Sequence, residues 1–138
     1  MDNKTILDFV PKLYDVLVQI KENEGEKNKK ITYGDLAEKA LKDRDAAQFL
    51  DEALGVILIF CHRHDLPMLS ALVVNWKSRI PGNNFFNLYE KIVPIEKQKK
   101  YEELLREIEK SEVPPPEMRT LLIKSAGKLL IEMKFSKK

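Results

Sequence analysis

The chain has 138 residues, of which 43% are hydrophobic and 33% are charged, and its formal net charge is +2. This length and apolar content suffice for a domain with a real core, which excludes a wholly disordered chain. The near-neutral charge excludes a uniformly basic coat, so nucleic-acid binding would need a local patch. One cysteine, no signal-peptide pattern and no long apolar run predict a cytoplasmic protein without a disulfide framework or a membrane span.

The first predicted element is an amphipathic helix over residues 6–20, whose apolar side chains recur at helical spacing. Pro11 falls inside this pattern, so the helix either begins near Asp8 with Pro11 in its first turn or is kinked at Pro11. Residues 21–30 (KENEGEKNKK) contain no apolar side chain. They predict a solvated loop with Gly25 as its break.

Two helices are predicted next, and both have capping residues. Thr32 predicts an N-cap, because its hydroxyl can accept a hydrogen bond from the Asp35 amide. The second helix is predicted to begin at Asp43 or Asp45 and to run to about His64. Its second half is apolar on all sides, which predicts that this end is deeply buried.

A strand and a wing are predicted after Pro67, which ends the preceding helix. Residues 70–76 (SALVVNW) alternate as a strand does, and Leu72, Val74 and Trp76 share one predicted face. Residues 77–84 (KSRIPGNN) have turn chemistry and two basic side chains, which predicts a projecting wing.

The C-terminal part is predicted to be helical. Residues 96–110 form a charged amphipathic helix, residues 113–116 (VPPP) a stiff break, and residues 117–135 a last helix. The predicted division is therefore a winged-helix-like domain over residues 1–93 and a helical extension over residues 94–138. This extension packs either on the first domain or on a partner.

Catalysis and metal binding have little support in the sequence. Cys61, His62 and His64 lie together, but residues one apart on a helix point in different directions. No second cysteine or further histidine exists to complete a zinc site. We expect a buried Cys61, histidines at a helix C-terminus, no metal, no cofactor and no enzyme activity.

Polar and basic residues at two helix starts and on the wing form the predicted nucleic-acid surface. In a winged helix these places face the same side, where helix amides, a groove-reading helix and wing cations contact DNA. The alternative is that they are ordinary surface residues, because the second helix also carries acids. The candidates for binding double-stranded DNA are Lys30, Thr32, Tyr33, Arg44, Gln48, Lys77, Arg79, Asn83 and Asn84.

A second functional hypothesis uses the last helix, whose leucines cover more than one face. Such a helix can form a homodimer or dock on a protein partner, as a small regulator or inhibitor would. The candidate partner-binding residues are Leu121, Leu122, Leu129 and Leu130.

Residues 31–37 (ITYGDLA), 45–50 (DAAQFL) and 66–74 (LPMLSALVV) carry a family resemblance. They resemble the winged-helix domain of the alkyltransferase and alkyltransferase-like DNA repair proteins. The resemblance implies that Tyr33 helps to turn a nucleotide out of the duplex, and Gln48 stands closest to the family's gap-filling arginine. The family's Pro-Cys-His-Arg site falls near residues that include neither cysteine nor histidine, so alkyl transfer is not expected.

The same stretch is similar to a small winged-helix module that precedes HNH nuclease domains in bacterial and phage proteins. That module has a Leu-Val-Val-Asn strand and a Pro-Gly-x-x-Phe close, which residues 72–75 and 81–85 match. No HNH residues follow, so the resemblance implies a stand-alone module of a phage or mobile element. In the protein-interaction alternative, such a phage-encoded or bacterial module would act on a host or defence protein.

The fold predicted from the sequence is α+β and mostly helical, with a winged helix-turn-helix core, an N-terminal helix and two C-terminal helices. The predicted function is a non-catalytic nucleic-acid-binding module. The alternative is a protein-interaction regulator that uses the C-terminal helices.

Overall fold

The computed structural model describes residues 1–23 and 29–136, which form a mostly helical α+β fold. The α-helices are α1 (Asn3–Glu22), α2 (Tyr33–Leu41), α3 (Asp51–Arg63), α4 (Asn83–Ile92), α5 (Tyr101–Lys110) and α6 (Pro116–Ser136). The strands are β1 (Ile31–Thr32) and β2 (Val73–Val74). Short 3₁₀ segments cover Arg44–Phe49, Leu69–Leu72 and Ile95–Lys97. The coarse fold class predicted from the sequence is confirmed.

Helix α1 begins earlier than predicted, because Asp2 caps it. The Asp2 carboxylate accepts a hydrogen bond from the Thr5 amide at 2.9 Å, so the helix starts at Asn3 and Pro11 lies inside it. A start near Asp8 is therefore wrong. A loop is predicted to follow this helix. Its residues 24–28, which include the predicted break at Gly25, lie outside the described residues.

The predicted cap of α2 is confirmed, since the Thr32 hydroxyl accepts a hydrogen bond from the Asp35 amide at 3.1 Å. The helix predicted to follow is instead two segments. The Asp43 carboxylate accepts a hydrogen bond from the amide of Asp45, which is only two residues further along the chain. This tight turn starts the 3₁₀ segment. The α-helix itself starts after Leu50, and its apolar half is buried as predicted.

The predicted strand over residues 70–76 is mostly wrong, because only Val73 and Val74 are extended. The Ser70 hydroxyl is buried and donates a hydrogen bond of 2.9 Å to the Leu54 carbonyl on α3. This contact favours the 3₁₀ turn of Leu69–Leu72 over an extended chain. Strand β2 pairs in parallel with β1, with Val73 opposite Ile31.

A tight turn follows β2 where a wing was predicted. The Asn75 amide donates to the Ile80 carbonyl at 3.0 Å, and the Arg79 amide donates to the Asn75 carbonyl at 2.9 Å. Helix α4 then begins at Asn83, so Asn83 and Asn84 are helical. No further strand follows β2 among the described residues, and a winged helix is not confirmed.

The last helix packs on the rest of the protein and shares its core. Helix α6 lies against α1 and α3, and the guanidinium of Arg119 binds the Asp15 carboxylate of α1 at 2.7 and 3.0 Å. Buried residues of all six helices belong to one hydrophobic cluster. Within the described ranges, no helix combines the length and apolar character needed to cross a membrane.

Candidate nucleic-acid interface

The start of α2 and the turn after β2 are held together at three points. Parallel pairing of β1 with β2 forms the first. The Tyr33 hydroxyl accepts a hydrogen bond from the Gly82 amide at 3.0 Å, and the Lys30 ammonium donates one to the Arg79 carbonyl at 2.8 Å. Residues far apart in sequence therefore form one surface.

Tyr33 and Lys30 are both partly enclosed by these contacts. Burial raises the pKa of the Tyr33 phenol, whose oxygen is already occupied by the Gly82 amide. The Lys30 ammonium also lies 5.3 Å from the centroid of the Tyr101 ring. Burial lowers the pKa of Lys30, and the positive charge of Arg79 lowers it further. Both side chains are part of this surface, and their hydrogen bonds also hold the turn after β2 in place.

A groove of about 720 Å³ lies along α2 and extends to the turn. We call it the basic groove, and its charged lining residues are the cations Lys29, Lys30, Lys39, Lys42 and Arg79 and the acids Asp35 and Glu38. Among the described residues that line it, cations outnumber acids by three, whereas the whole chain has a formal net charge of only +2. The rest of the chain therefore has a slight excess of negative charge, so positive charge is concentrated in the basic groove.

Arg44 forms ion pairs with both acids of the basic groove, and its single positive charge offsets one of their two negative charges. Its guanidinium lies 2.8 Å from a carboxylate oxygen of Asp35 and 2.8 Å from one of Glu38. The hydrogen bond from Arg44 lowers the pKa of Asp35, and the same contact raises the pKa of Arg44. Arg44, predicted to contact DNA directly, is thus engaged with two acids beside the basic groove.

Two residues of the basic groove have left-handed backbone conformations. Lys42 has φ 59° and Arg79 has φ 60°, and both are residues with a Cβ. This region is disfavoured by about 1 kcal/mol or more for such residues, and glycine is the usual occupant after a helix end.

Trp76 and Lys77 project from the turn. Trp76 is 71% exposed, and the Lys77 ammonium lies 5.4 Å from the centroid of its ring. The prediction that Trp76 shares a face with the buried Leu72 and Val74 is wrong, because the strand ends at Val74 and the turn begins at Asn75.

The structure brings only some of the predicted nucleic-acid residues together. Lys30, Thr32 and Arg79 line the basic groove. The Gln48 amide instead donates to the Asp45 carbonyl at 3.3 Å, and the Asn84 amide donates to the Asp51 carboxylate at 2.6 Å. These two side chains are engaged within the protein and lie outside the basic groove.

Three residues of this surface were missed by sequence reasoning: Lys39, Lys42 and Trp76. Lys39 and Lys42 are spaced to lie near one another at the end of a helix, which is the only signal they give. For Trp76 the signal is the asparagine before it, since Asn75 favours a turn over a continued strand.

The predicted partner-binding leucines are mostly inside the protein. Leu122, Leu129 and Leu130 are buried in the shared core, and Leu121 is partly buried against it. A helix face that packs within its own chain has the same apolar periodicity as one that packs on a partner. These three buried leucines are therefore not a partner surface.

The thiol of the cysteine and histidine cluster is enclosed in the core. Cys61 is fully buried, as predicted, and burial raises the pKa of its thiol to about 12. The ring of His64 packs on Phe60 with centroids 4.5 Å apart. In the part of the chain that the structure describes, no group of three or more His, Cys, Asp or Glu residues could hold a metal ion.

No protein-family model, curated protein or solved structure matches the chain. The resemblances drawn from short motifs stay predictions.

Proposed function

We propose that this protein is a non-catalytic nucleic-acid-binding module that holds phosphates in the basic groove. The observation that supports this function is the excess of three cations among the described residues that line the groove, in a nearly neutral chain. Lysine and arginine supply the phosphate contacts that dominate affinity for nucleic acids. The ion pairs of Arg44 with Asp35 and Glu38 reduce the repulsion that these acids would exert on a phosphate.

The entry of α2 adds to this attraction. Thr32, the N-cap of α2, lines the basic groove, and the positive end of a helix dipole favours anions. Lysines of the last turn and of the helix end, Lys39 and Lys42, lie along the same groove. Phosphates along a strand would therefore meet positive charge at both ends of α2.

The test is a fluorescence-anisotropy titration with labelled duplex DNA, single-stranded DNA and RNA over a range of salt concentrations. Binding should weaken steeply with salt, because each phosphate contact contributes about −0.9 to the slope of log K against log salt on duplex DNA. The variant Lys39→Glu with Lys42→Glu should weaken binding and make this slope shallower by about 2.

The matched control is Lys124→Glu with Lys128→Glu, two exposed lysines of α6 that do not line the basic groove. It changes the net charge by the same amount and should bind nearly as the unchanged protein does. Equal weakening by both variants would show that only net charge matters, and absence of binding at low salt would refute the function.

The alternative function, a protein-interaction regulator, has less support. Three of the four leucines assigned to a partner pack within the chain. Exposed apolar side chains on α6 are instead Ile123, Ile131 and Phe135. Light scattering of the full chain would test self-association, and a monomer at high concentration would count against a homodimer.

A further inference from the structure

We infer that Trp76 is a stacking platform for an unpaired nucleobase, so that the preferred ligand of the basic groove is a nucleic acid with a single-stranded segment. This inference rests on the proposed nucleic-acid function and adds the class of strand that is bound.

The first supporting observation is the exposure of the ring. Trp76 is 71% exposed, although tryptophan is on average among the more buried residues. It is the sole tryptophan of the chain. Its turn is closed at the base by the backbone hydrogen bonds of Asn75 with Ile80 and Arg79, so a large ring is presented on a constrained backbone.

The second observation is the charge beside the ring. The Lys77 ammonium lies 5.4 Å from the ring centroid, within the range of a cation–π contact. Such a contact uses one face of the indole. The high exposure of the ring leaves surface for a planar base, and the Lys77 ammonium lies close enough to attract the phosphate of the same nucleotide.

The third observation is the link between the turn and the basic groove. Arg79 lines the groove and is three residues beyond Trp76, so their Cα atoms are at most about 11 Å apart. A strand whose phosphates follow the groove can therefore place a base at Trp76.

The ligand should have unpaired bases, because both faces of an internal base in a duplex are covered by its neighbours. A base that stacks on a side chain must be single-stranded, terminal or turned out of the helix. Positive grooves combined with exposed aromatic rings are typical of proteins that bind single strands.

The experiment follows the intrinsic fluorescence of Trp76 in the full chain during titration with an oligothymidylate and with a blunt duplex of equal phosphate count. The oligothymidylate should quench the fluorescence more and bind more tightly at the same salt concentration. Trp76→Ala should weaken oligothymidylate binding, measured by anisotropy, between about fivefold and a hundredfold. Trp76→Phe, which keeps an aromatic ring, should retain most of the affinity.

Ile80→Ala is the matched control, since Ile80 is also exposed in this turn but has no aromatic face. It should leave oligothymidylate binding unchanged. Unfolding midpoints of all three variants should stay close to that of the unchanged protein, because the replaced side chains are exposed.

Salt-dependent binding that is equal for both ligands and insensitive to Trp76→Ala would overturn the stacking role and leave the proposed function standing. Absence of binding to any nucleic acid would overturn both. Self-association that is lost in Trp76→Ala, without an effect on oligothymidylate binding, would assign the ring to a protein contact and also overturn the stacking role.

Discussion

Gly55 of α3 and Met133 of α6 are in such close contact that a Cβ on Gly55 would overlap the Met133 sulfur. The same Cβ would lie 3.1 Å from a methyl carbon of Leu88 on α4. Three helices therefore meet at this glycine, and its lack of a side chain lets α6 approach α3. The C-terminal helix is in this way built into the core of the protein.

Gly55→Ala should lower the free energy of unfolding by about 1 kcal/mol. Alanine is the better helix former, but the crowding of Met133 outweighs this gain. In a Met133→Ala background the same substitution should be less destabilising by about 1 kcal/mol, because the overlapping sulfur is gone. Urea unfolding of the four proteins in this double-mutant cycle measures the coupling, and strictly additive effects would contradict the contact.

Leu130 and Ile131 are adjacent on α6 and should respond very differently to truncation. Leu130 is 1% exposed and Ile131 is 53% exposed. Leu130→Ala should lower the free energy of unfolding by about 2–5 kcal/mol, whereas Ile131→Ala should lower it by less than about 1 kcal/mol. Chemical denaturation of both variants gives the comparison. Small and similar losses would mean that α6 does not share the core.

Helices and caps were the parts of the fold that local sequence could predict. Thr32 was identified as a cap because its hydroxyl and the Asp35 amide are close in sequence. The limits of strand β2 could not be predicted from local sequence. This strand pairs with β1, about 40 residues earlier, and the local alternation of apolar residues extends past Val74. The role of the leucines on α6 was ambiguous for a related reason: periodicity shows that a face is buried but not what covers it.

The basic groove was predictable only in part. Lys30, Thr32 and Arg79 were named from a presumed winged helix, and they do line one groove even though no wing is seen among the described residues. Lys42 was missed because its position depends on a left-handed backbone after α2. The position of Arg44 between two acids could not be predicted from the sequence either, because it depends on how the chain turns after α2.

Lys42→Gly should stabilise the protein and weaken nucleic-acid binding at the same time. The backbone at this position has φ 59°, which glycine adopts without steric conflict, so the free energy of unfolding should rise by about 0.5–1 kcal/mol. Lys39→Gly is the control: it removes the same charge but lies within α2, so it should destabilise by about 1 kcal/mol. Urea unfolding and anisotropy titration, carried out on both, separate stability from affinity. Loss of stability in Lys42→Gly would contradict this account.

Arg44→Gln should weaken nucleic-acid binding although Arg44 does not line the basic groove. The substitution would leave Asp35 and Glu38 without their ion pairs to Arg44, so that both carboxylates repel phosphate more strongly. Asp35→Asn with Glu38→Gln should have the opposite effect and tighten binding. If Arg44 contacted phosphate directly, Arg44→Gln would still weaken binding after both acids had been neutralised. Anisotropy titration of the triple variant at low salt therefore distinguishes the two roles.

Stability should fall as the pH rises above about 9. The pKa of the Cys61 thiol is raised by burial from its ordinary value of 9.0 to about 12, so the folded protein keeps a proton that the unfolded chain releases. Tyr14 and Tyr101, each with a pKa raised mainly by burial from 10.0 to about 12, add to the effect at higher pH. Because the folded state then binds more protons, the free energy of unfolding decreases with pH, by about 1 kcal/mol at pH 10 for the thiol alone.

Urea unfolding of the unchanged protein and of Cys61→Ala between about pH 8 and pH 10 tests this account. The alanine variant should be less stable at pH 8, because a buried side chain has been shortened. Its stability should nevertheless decline less as the pH rises, because it has no thiol to ionise on unfolding. Parallel declines in the two proteins would show that the Cys61 thiol is not responsible.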